Sequence, residues 1–362
     1  MKILFFTGSR SEYGIIRPLL LAIDSNPNFE YKLIVSGSHF LQDLGQSINE
    51  IEKDKLKGPL IKTPIFESNH SPGINEFNKT SQEIYNICQK ENPQFLFITG
   101  DRIESYACAL GAHFAKTDII HYGGGNISKG SWDDAYRYNI SNLSKYNLVT
   151  NKVAAENLFK SPAVSKKNNI YNVGSFSVDA LLKYLKTEDC SPYKNPFALM
   201  TFHPSTKADE DLPNIMNQII DELLNKKIHV IITYPNTDSG YQDIIKTIEY
   251  RSNEQYVTVI KNLGSQNFYR HLRYADLIIG NSSSSFVEAP YFGTPILNIG
   301  KRQEGRISDR IIDSCDLNMK PIRNWIEQQI SLNFKKNTNE SLFGEGDAVD
   351  KALYLLNKLG NE

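Results

Sequence analysis

Several features that would assign this chain quickly are missing. Four of its 362 residues are cysteine, Cys88, Cys108, Cys190 and Cys315, and none stands in a CxxC pair. That excludes a zinc-ligand spacing and a disulfide framework, and fits reduced thiols in the cytoplasm. No apolar run approaches the roughly 20 residues of a bilayer-spanning helix, so no membrane insertion is expected. The start, MKILFFTGSR, has too short an apolar run for a secretory h-region and reads as a first buried strand. Charge of one sign is also lacking. The 40 basic and 41 acidic residues leave a formal net charge of −1, which argues against a nucleic-acid partner but not against a small anion held by a few placed cations. No GxxxxGK[ST] occurs, so P-loop ATP hydrolysis is not supported. No repeat of solenoid period and no low-complexity tract is present.

What is present is regular alternation. Apolar runs (KILFFTG, YKLIVSG, FLFITG, DIIHYG, NLVTN, NIYNVGS) alternate with helix-length segments such as YGIIRPLLLAI and RIESYACALGAHFAK. The pattern pauses at the polar, proline-containing KTEDCSPYKNP (186–196). It restarts with FALMTFHP, HVIITYP, YVTVIKN, DLIIGN and TPILNIG. With 40% hydrophobic residues and this length, two cores are expected. The fold class read from this is α/β, with two Rossmann-like doubly wound domains. The boundaries are residues 1–180, residues 181–342 and a last amphipathic helix within 343–362. In such sheets ligands bind beyond the carboxyl ends of strands, where strand order switches, so the useful residues should follow strands directly.

Five segments do so. TGSRSEYG (7–14) places Arg10 at a strand end beside a helix N-terminus, or is an ordinary turn with a surface arginine. TGDRIE (99–104) places Asp101 there as a candidate base or as a helix N-cap. TFHP (201–204) fixes His203 in a loop stopped by Pro204. YPNTDSGYQDI (234–244) carries Asn236, Asp238 and Ser239, of which the last two could equally be caps. The richest is GNSSSSFVEAPYFGTPILNIGKRQEGR (280–306). There Ser282, Ser283 and Ser284 let backbone N–H groups approach a diphosphate, Glu288 can accept from ribose hydroxyls, and Arg302 and Arg306 add cations.

Together TGSRSEYG, GDR, FHP and GNSSSSFVEAP with NIGKRQEGR resemble the hydrolysing UDP-N-acetylglucosamine 2-epimerases of sialic acid type, in the same order from residue 1 to about 310. The resemblance implies a glycosyltransferase-B pairing of the two domains around an interdomain cleft, a C-terminal helix returning to the N-terminal domain, and a homodimer. It implies that Ser282, Ser283 and Ser284 meet the diphosphate, that Glu288 meets the ribose, and that His203 lies near the diphosphate. Asn236 resembles part of an NxDxG segment of the nucleotide domain. Arg10, Asp101 and His39 (in SGSHFLQDLG) match N-terminal cleft residues. The implied substrate is UDP-GlcNAc or a related nucleotide sugar. UDP is eliminated across C1–C2 and water is then added, giving N-acetylmannosamine for sialic acid or a related nonulosonic acid. No metal and no cofactor is required. A UDP- or GDP-diacetamido-trideoxy sugar, of legionaminic acid type, suits the same resemblance. So does a diverged hydrolase, transferase or binding protein.

The acid–base residues are implied in Asp101 and in HYGGGNISKGSWDDAYRYN (121–139). There the family pattern H-I-x-G-G-E, then D-[DE]-x-x-R-H, is matched by Asp133 and Arg137. The acidic residue near the glycines is absent, with Gly123 and Asn126 at the corresponding places, and Tyr138 replaces the second histidine. An asparagine cannot take or return a proton near neutral pH.

Overall fold

The computed structural model describes residues 1–42, 45–65, 73–162, 164, 169–207 and 210–360, and these divide into two compact units. Two doubly wound α/β units are present, the class read from the alternation.

Unit 1 comprises Met1–Asn126, Asp133–Lys183 and Phe343–Glu362. Its strands are β1 (Lys2–Thr7), β2 (Glu30–Val35), β3 (Leu60–Lys62), β4 (Phe95–Thr99), β5 (Asp118–Tyr122), β6 (Tyr146–Val149) and β7 (Ile170–Asn172). Its helices over the same span are α1 (Arg10–Asp24), α2 (Ile48–Lys53), α3 (Ile74–Glu91), α4 (Ile103–Phe114), α5 (Asp133–Leu143), α6 (Lys152–Lys160) and α7 (Phe176–Leu185). The strands pair in the order β3-β2-β1-β4-β5-β6-β7, all in parallel. Helices cover both faces, so successive residues of β1 are apolar: Ile3 and Phe5 enter one core cluster, Leu4 and Phe6 the other. Strand order reverses between β1 and β4, and their carboxyl ends lead into Gly8–Arg10 and Gly100–Arg102.

Unit 2 comprises Ile127–Trp132 and Tyr184–Leu342. It contains β8 (Phe197–Thr201), α8 (Leu212–Asn225), β9 (His229–Thr233), α9 (Tyr241–Arg251), β10 (Val257–Ile260), α10 (Gly264–Tyr274), β11 (Leu277–Gly280), α11 (Ser284–Val287), β12 (Ile296–Ile299), β13 (Ile312–Cys315) and α12 (Met319–Ser331). Its parallel sheet runs β10-β9-β8-β11-β12-β13. The reversal falls between β8 and β11, whose ends lead into Phe202–Pro204 and Asn281–Ser283. The chain closes with α13 (Ala348–Gly360). Its Ala348, Ala352, Leu355, Leu356 and Leu359 recur at helical spacing and join the core cluster of unit 1 that holds Ile3, Phe5 and Ile16. Among the described residues no helix is long and apolar enough to cross a membrane.

Candidate active site

In unit 2 the two loops at the strand-order reversal are clamped together by one amide. Asn281 is fully buried. Its Oδ1 accepts from the His203 backbone N–H at 2.7 Å, and its Nδ2 donates to the His203 carbonyl at 2.8 Å. The Gln303 amide donates to the Asn281 carbonyl at 2.9 Å, and Arg306 donates to Gln303 Oε1 at 2.9 Å. The RQEGR tail is thereby folded onto the start of the serine run. His203 Nδ1 accepts from the Asn236 backbone N–H at 3.0 Å. Its proton therefore resides on Nε2, which lies 3.4 Å from Ser282 Oγ. Asn236 Nδ2 donates to Asp238 Oδ2 at 2.6 Å, and Asp238 pairs with Arg302 at 3.4 Å. His203, Asn236, Ser282 and Arg302 are thus one connected set, extended by Ser284 through its 2.9 Å hydroxyl contact with Ser282.

Ser283 is exposed, and Glu288 ends the helical turn that the run begins. That helix is short. It is the single turn α11, continued as a 3₁₀ turn, Ala289–Phe292. A macrodipole contributes little at such length. The first N–H groups of such a turn have no partner within it, and with the serine hydroxyls they are the donors this loop presents.

In unit 1 the corresponding loops carry Arg10 and Asp101. Ser9 caps α1 and Arg10 is its first residue. Burial lowers the Arg10 guanidinium's pKa, with the charge of Glu50 opposing. Asp101 is gripped by Arg137, which is 1% exposed. Arg137 Nε donates to Asp101 Oδ2 at 2.9 Å, and Nη2 reaches the same oxygen. Its Nη1 donates to the Asn126 carbonyl at 2.8 Å and to Asp134 Oδ1. Burial alone would lower the pKa of Arg137, but Asp101, Asp134 and Asp133 outweigh it and raise it. Asp133 is the first residue of α5, and Asp134 is the partner of Arg137 one turn before it. Below Asp101, the fully buried His121 lies 2.8 Å from the Gly100 carbonyl through Nε2 and 2.8 Å from Ser141 Oγ through Nδ1. Burial lowers its pKa to about 4, so it is neutral and donates from Nε2 to that carbonyl.

Two expectations need correction. His39, expected to touch the ligand, is 0% exposed, with Nε2 at 2.9 Å from Thr7 Oγ1 and Nδ1 at 2.8 Å from Ser47 Oγ. Both ring nitrogens are engaged and burial lowers its pKa to about 3, so it braces the end of β1 as a neutral group. Arg137, also expected as a ligand contact, is enclosed by the carboxylates it holds and positions Asp101 instead. Asn126 is anchored within the protein as well. Its Nδ2 lies 3.3 Å from both the Gly123 carbonyl and Thr150 Oγ1, and its Oδ1 accepts from Asn151 at 3.1 Å. Tyr138 packs against the cluster of Val149, Ala154 and Leu158, and its phenol pKa is raised by burial and by Asp134, further from a usable base. The glycines before Asn126 serve packing: at Gly125 (φ +78°) a Cβ would lie 2.1 Å from the Ala154 carbonyl.

Comparison with known proteins fits both halves. The family model for UDP-N-acetylglucosamine 2-epimerase matches residues 21–357. The chain belongs to that family. It is 28% identical over 353 residues to UDP-N-acetylglucosamine 2-epimerase of Neisseria meningitidis serogroup B, covering 96% of this chain and 91% of that one. It is 27% identical over 364 residues to UDP-N,N'-diacetylbacillosamine 2-epimerase (hydrolyzing) of Legionella pneumophila, covering 98% and 95%. The crystal structure of UDP-GlcNAc 2-epimerase from Neisseria meningitidis bound to UDP-GlcNAc superimposes with a TM-score of 0.82 at 18% identity, over 99% of this chain and 100% of that one, a likeness of fold. Membership of an epimerase family makes the connected sets around His203 and Asp101 the places to look for chemistry.

Sequence reading did not identify four residues that build these loops: Asn281, His121, Glu12 and Glu104. Asn281 stands directly before the serine run. His121 opens the segment 121–139. Glu12 and Glu104 stand in the first turns of α1 and α4. Glu12 is 3% and Glu104 1% exposed, and that burial is set by residues far away in sequence.

Proposed function

We propose that this protein is a hydrolysing 2-epimerase of a UDP-N-acetylhexosamine, converting UDP-GlcNAc to N-acetylmannosamine and UDP for sialic acid or a related nonulosonic acid. The observation that carries the reading is the Asn281 clamp. It joins the histidine loop to the serine run and places an imidazole Nε2–H, three serines and the Arg302–Asp238 pair at one strand-order reversal. Hydrogen-bond donors so arranged suit a diphosphate, and they suit it most as charge grows on a departing UDP. In unit 1, Asp101 with Asp133 supplies the acid–base function. A carboxylate takes the C2 proton as the C1–O bond breaks, which leaves a C1–C2 double bond and UDP. A proton then returns to C2 from the other face and water adds at C1.

A second reading is favoured by Asn126. Its amide is tied to Thr150 and Asn151 and holds no titratable proton. A site short of one acid releases UDP without inverting C2. A diacetamido sugar in place of the acetamido sugar is the related substrate choice, given the Legionella relative.

Incubation with UDP-GlcNAc in deuterium oxide, followed by proton NMR, decides. UDP release with free N-acetylmannosamine deuterated at C2 is the expected result. Release with the C2 proton retained refutes the epimerase. Turnover only of the diacetamido nucleotide sugar moves the substrate and keeps the reaction.

A further inference from the structure

Residues 127–132 link the end of the β5 loop to the start of α5, yet they pack within unit 2. The Lys129 N–H donates to the Glu304 carbonyl at 2.9 Å, and the Lys207 N–H donates to the Gly130 carbonyl at 3.2 Å. The Trp132 N–H donates to Thr206 Oγ1 at 3.0 Å, and Lys207 Nζ lies 5.0 Å over the Trp132 ring. Gly130 lies so close to the β12 loop that a Cβ there would be 2.3 Å from the Lys301 carbonyl and 2.7 Å from Arg302 Cα. Those partners flank the loops already described: Thr206 and Lys207 follow His203, and Lys301 to Glu304 surround Arg302. The residues just outside the segment, Asn126 and Asp134, are both held by Nη1 of Arg137, whose other nitrogens hold Asp101.

We infer that residues 127–132 form a positioning strap: the loops carrying His203 and Arg302 hold it, and it sets the spacing of Asn126 and Asp134 and hence where Arg137 places Asp101. Diphosphate seated against those loops fixes the strap, and through Asn126, Asp134 and Arg137 the strap bears on the position of Asp101. The strap touches no reacting atom. Its effect is therefore on turnover, while nucleotide affinity stays with the serines and Arg302. The activity arm of this inference rests on the functional reading above.

The test uses the full chain, with UDP as probe. Hydrogen exchange of the 127–132 peptide is measured with and without UDP, together with UDP affinity by calorimetry and steady-state turnover of UDP-GlcNAc. In the wild type UDP slows exchange in that peptide. Gly130→Ala, whose methyl collides with Lys301 and Arg302 backbone atoms, exchanges fast with or without UDP. It keeps UDP Kd and KM within about threefold and loses about tenfold or more of kcat, as small misplacements of a reacting group do. Thr206→Val, which removes one acceptor and no backbone packing, moves the same readouts in the same direction by less. Wild-type kcat in Gly130→Ala overturns the inference, as does loss of UDP binding in step with turnover, or strap exchange indifferent to UDP. Strap protection by UDP without turnover of any UDP-sugar refutes the functional reading and leaves the link between the phosphate loops and the strap standing.

Discussion

Glu12 offers the sharpest quantitative test of how unit 1 is built. Its carboxylate sits between the two turns at the strand-order reversal, with Oε2 accepting from the Gly8 N–H at 2.7 Å and Oε1 from Ser105 Oγ at 2.5 Å. Burial, and then the nearby charge of Glu104, push its pKa from the ordinary 4.5 up to about 7, against smaller opposing effects of Ser105, Arg102 and the Gly8 N–H. A carboxyl whose pKa is raised by folding holds a proton that the unfolded chain releases. Its contribution is complete below about pH 4.5 and is lost as pH rises through about 7. The interval corresponds to about 3 kcal/mol of stability. Glu12→Gln cannot ionise and removes this slope. It also leaves one of the two donors with a poorer acceptor, which costs about 1–2 kcal/mol at every pH.

The variant is therefore expected to be less stable than wild type near pH 5 and at least as stable near pH 8.5. Urea denaturation of both proteins at half-unit steps between pH 5 and 9 reads the difference directly, and other titrating groups largely cancel in it. Glu104→Gln, which removes the neighbouring charge, moves the wild-type slope to lower pH. Parallel stability curves for wild type and Glu12→Gln refute the reasoning, because they require Glu12 to ionise in the folded protein as easily as in water.

Further outcomes concern the candidate site and the core. Ser283→Ala with Ser284→Ala weakens UDP binding about tenfold or more, in keeping with lost hydrogen bonds to a charged group; an unchanged Kd by calorimetry removes the phosphate assignment. Asp101→Asn keeps UDP affinity and abolishes turnover of the nucleotide sugar, and a variant with full turnover rejects Asp101 as an acid–base residue. Leu356→Ala, fully buried in α13 against the core of unit 1, costs about 2–5 kcal/mol. That loss is read as destabilisation of unit 1 by denaturation followed through hydrogen exchange, and a loss confined to unit 2 contradicts the packing of α13.

The alternation of strands and helices was legible because both sheets are parallel and covered on both faces, so most strands are short, largely apolar runs. The loops of interest were legible for a related reason, since ligand-facing residues of such sheets follow the strands. What escaped was whatever depends on packing from a distance. His39 and Arg137 had the chemistry of ligand contacts, but Thr7 with Ser47 in one case, and Asp101 with Asp134 in the other, enclose them. Glu12 and Glu104 are first-turn helix charges and are nevertheless buried. The segment 127–132 gave no local sign that it packs within the second unit: its glycine, serines and tryptophan read as an ordinary loop, and only the approach of Lys301 to Gly130 explains that glycine.

The return of α13 to the first core has a consequence for the order in which the chain is made. A ribosome emits unit 1 up to Lys183, and then the main body of unit 2 through Leu342, before the helix that covers Ile3, Phe5 and Ile16 exists. The second unit can complete its core during synthesis. The first must wait with an apolar face uncovered until Ala348–Gly360 emerge, and in that interval it is open to chaperones and to aggregation. Loss of α13 is therefore expected to damage unit 1, whose strands precede it by more than 170 residues in the chain.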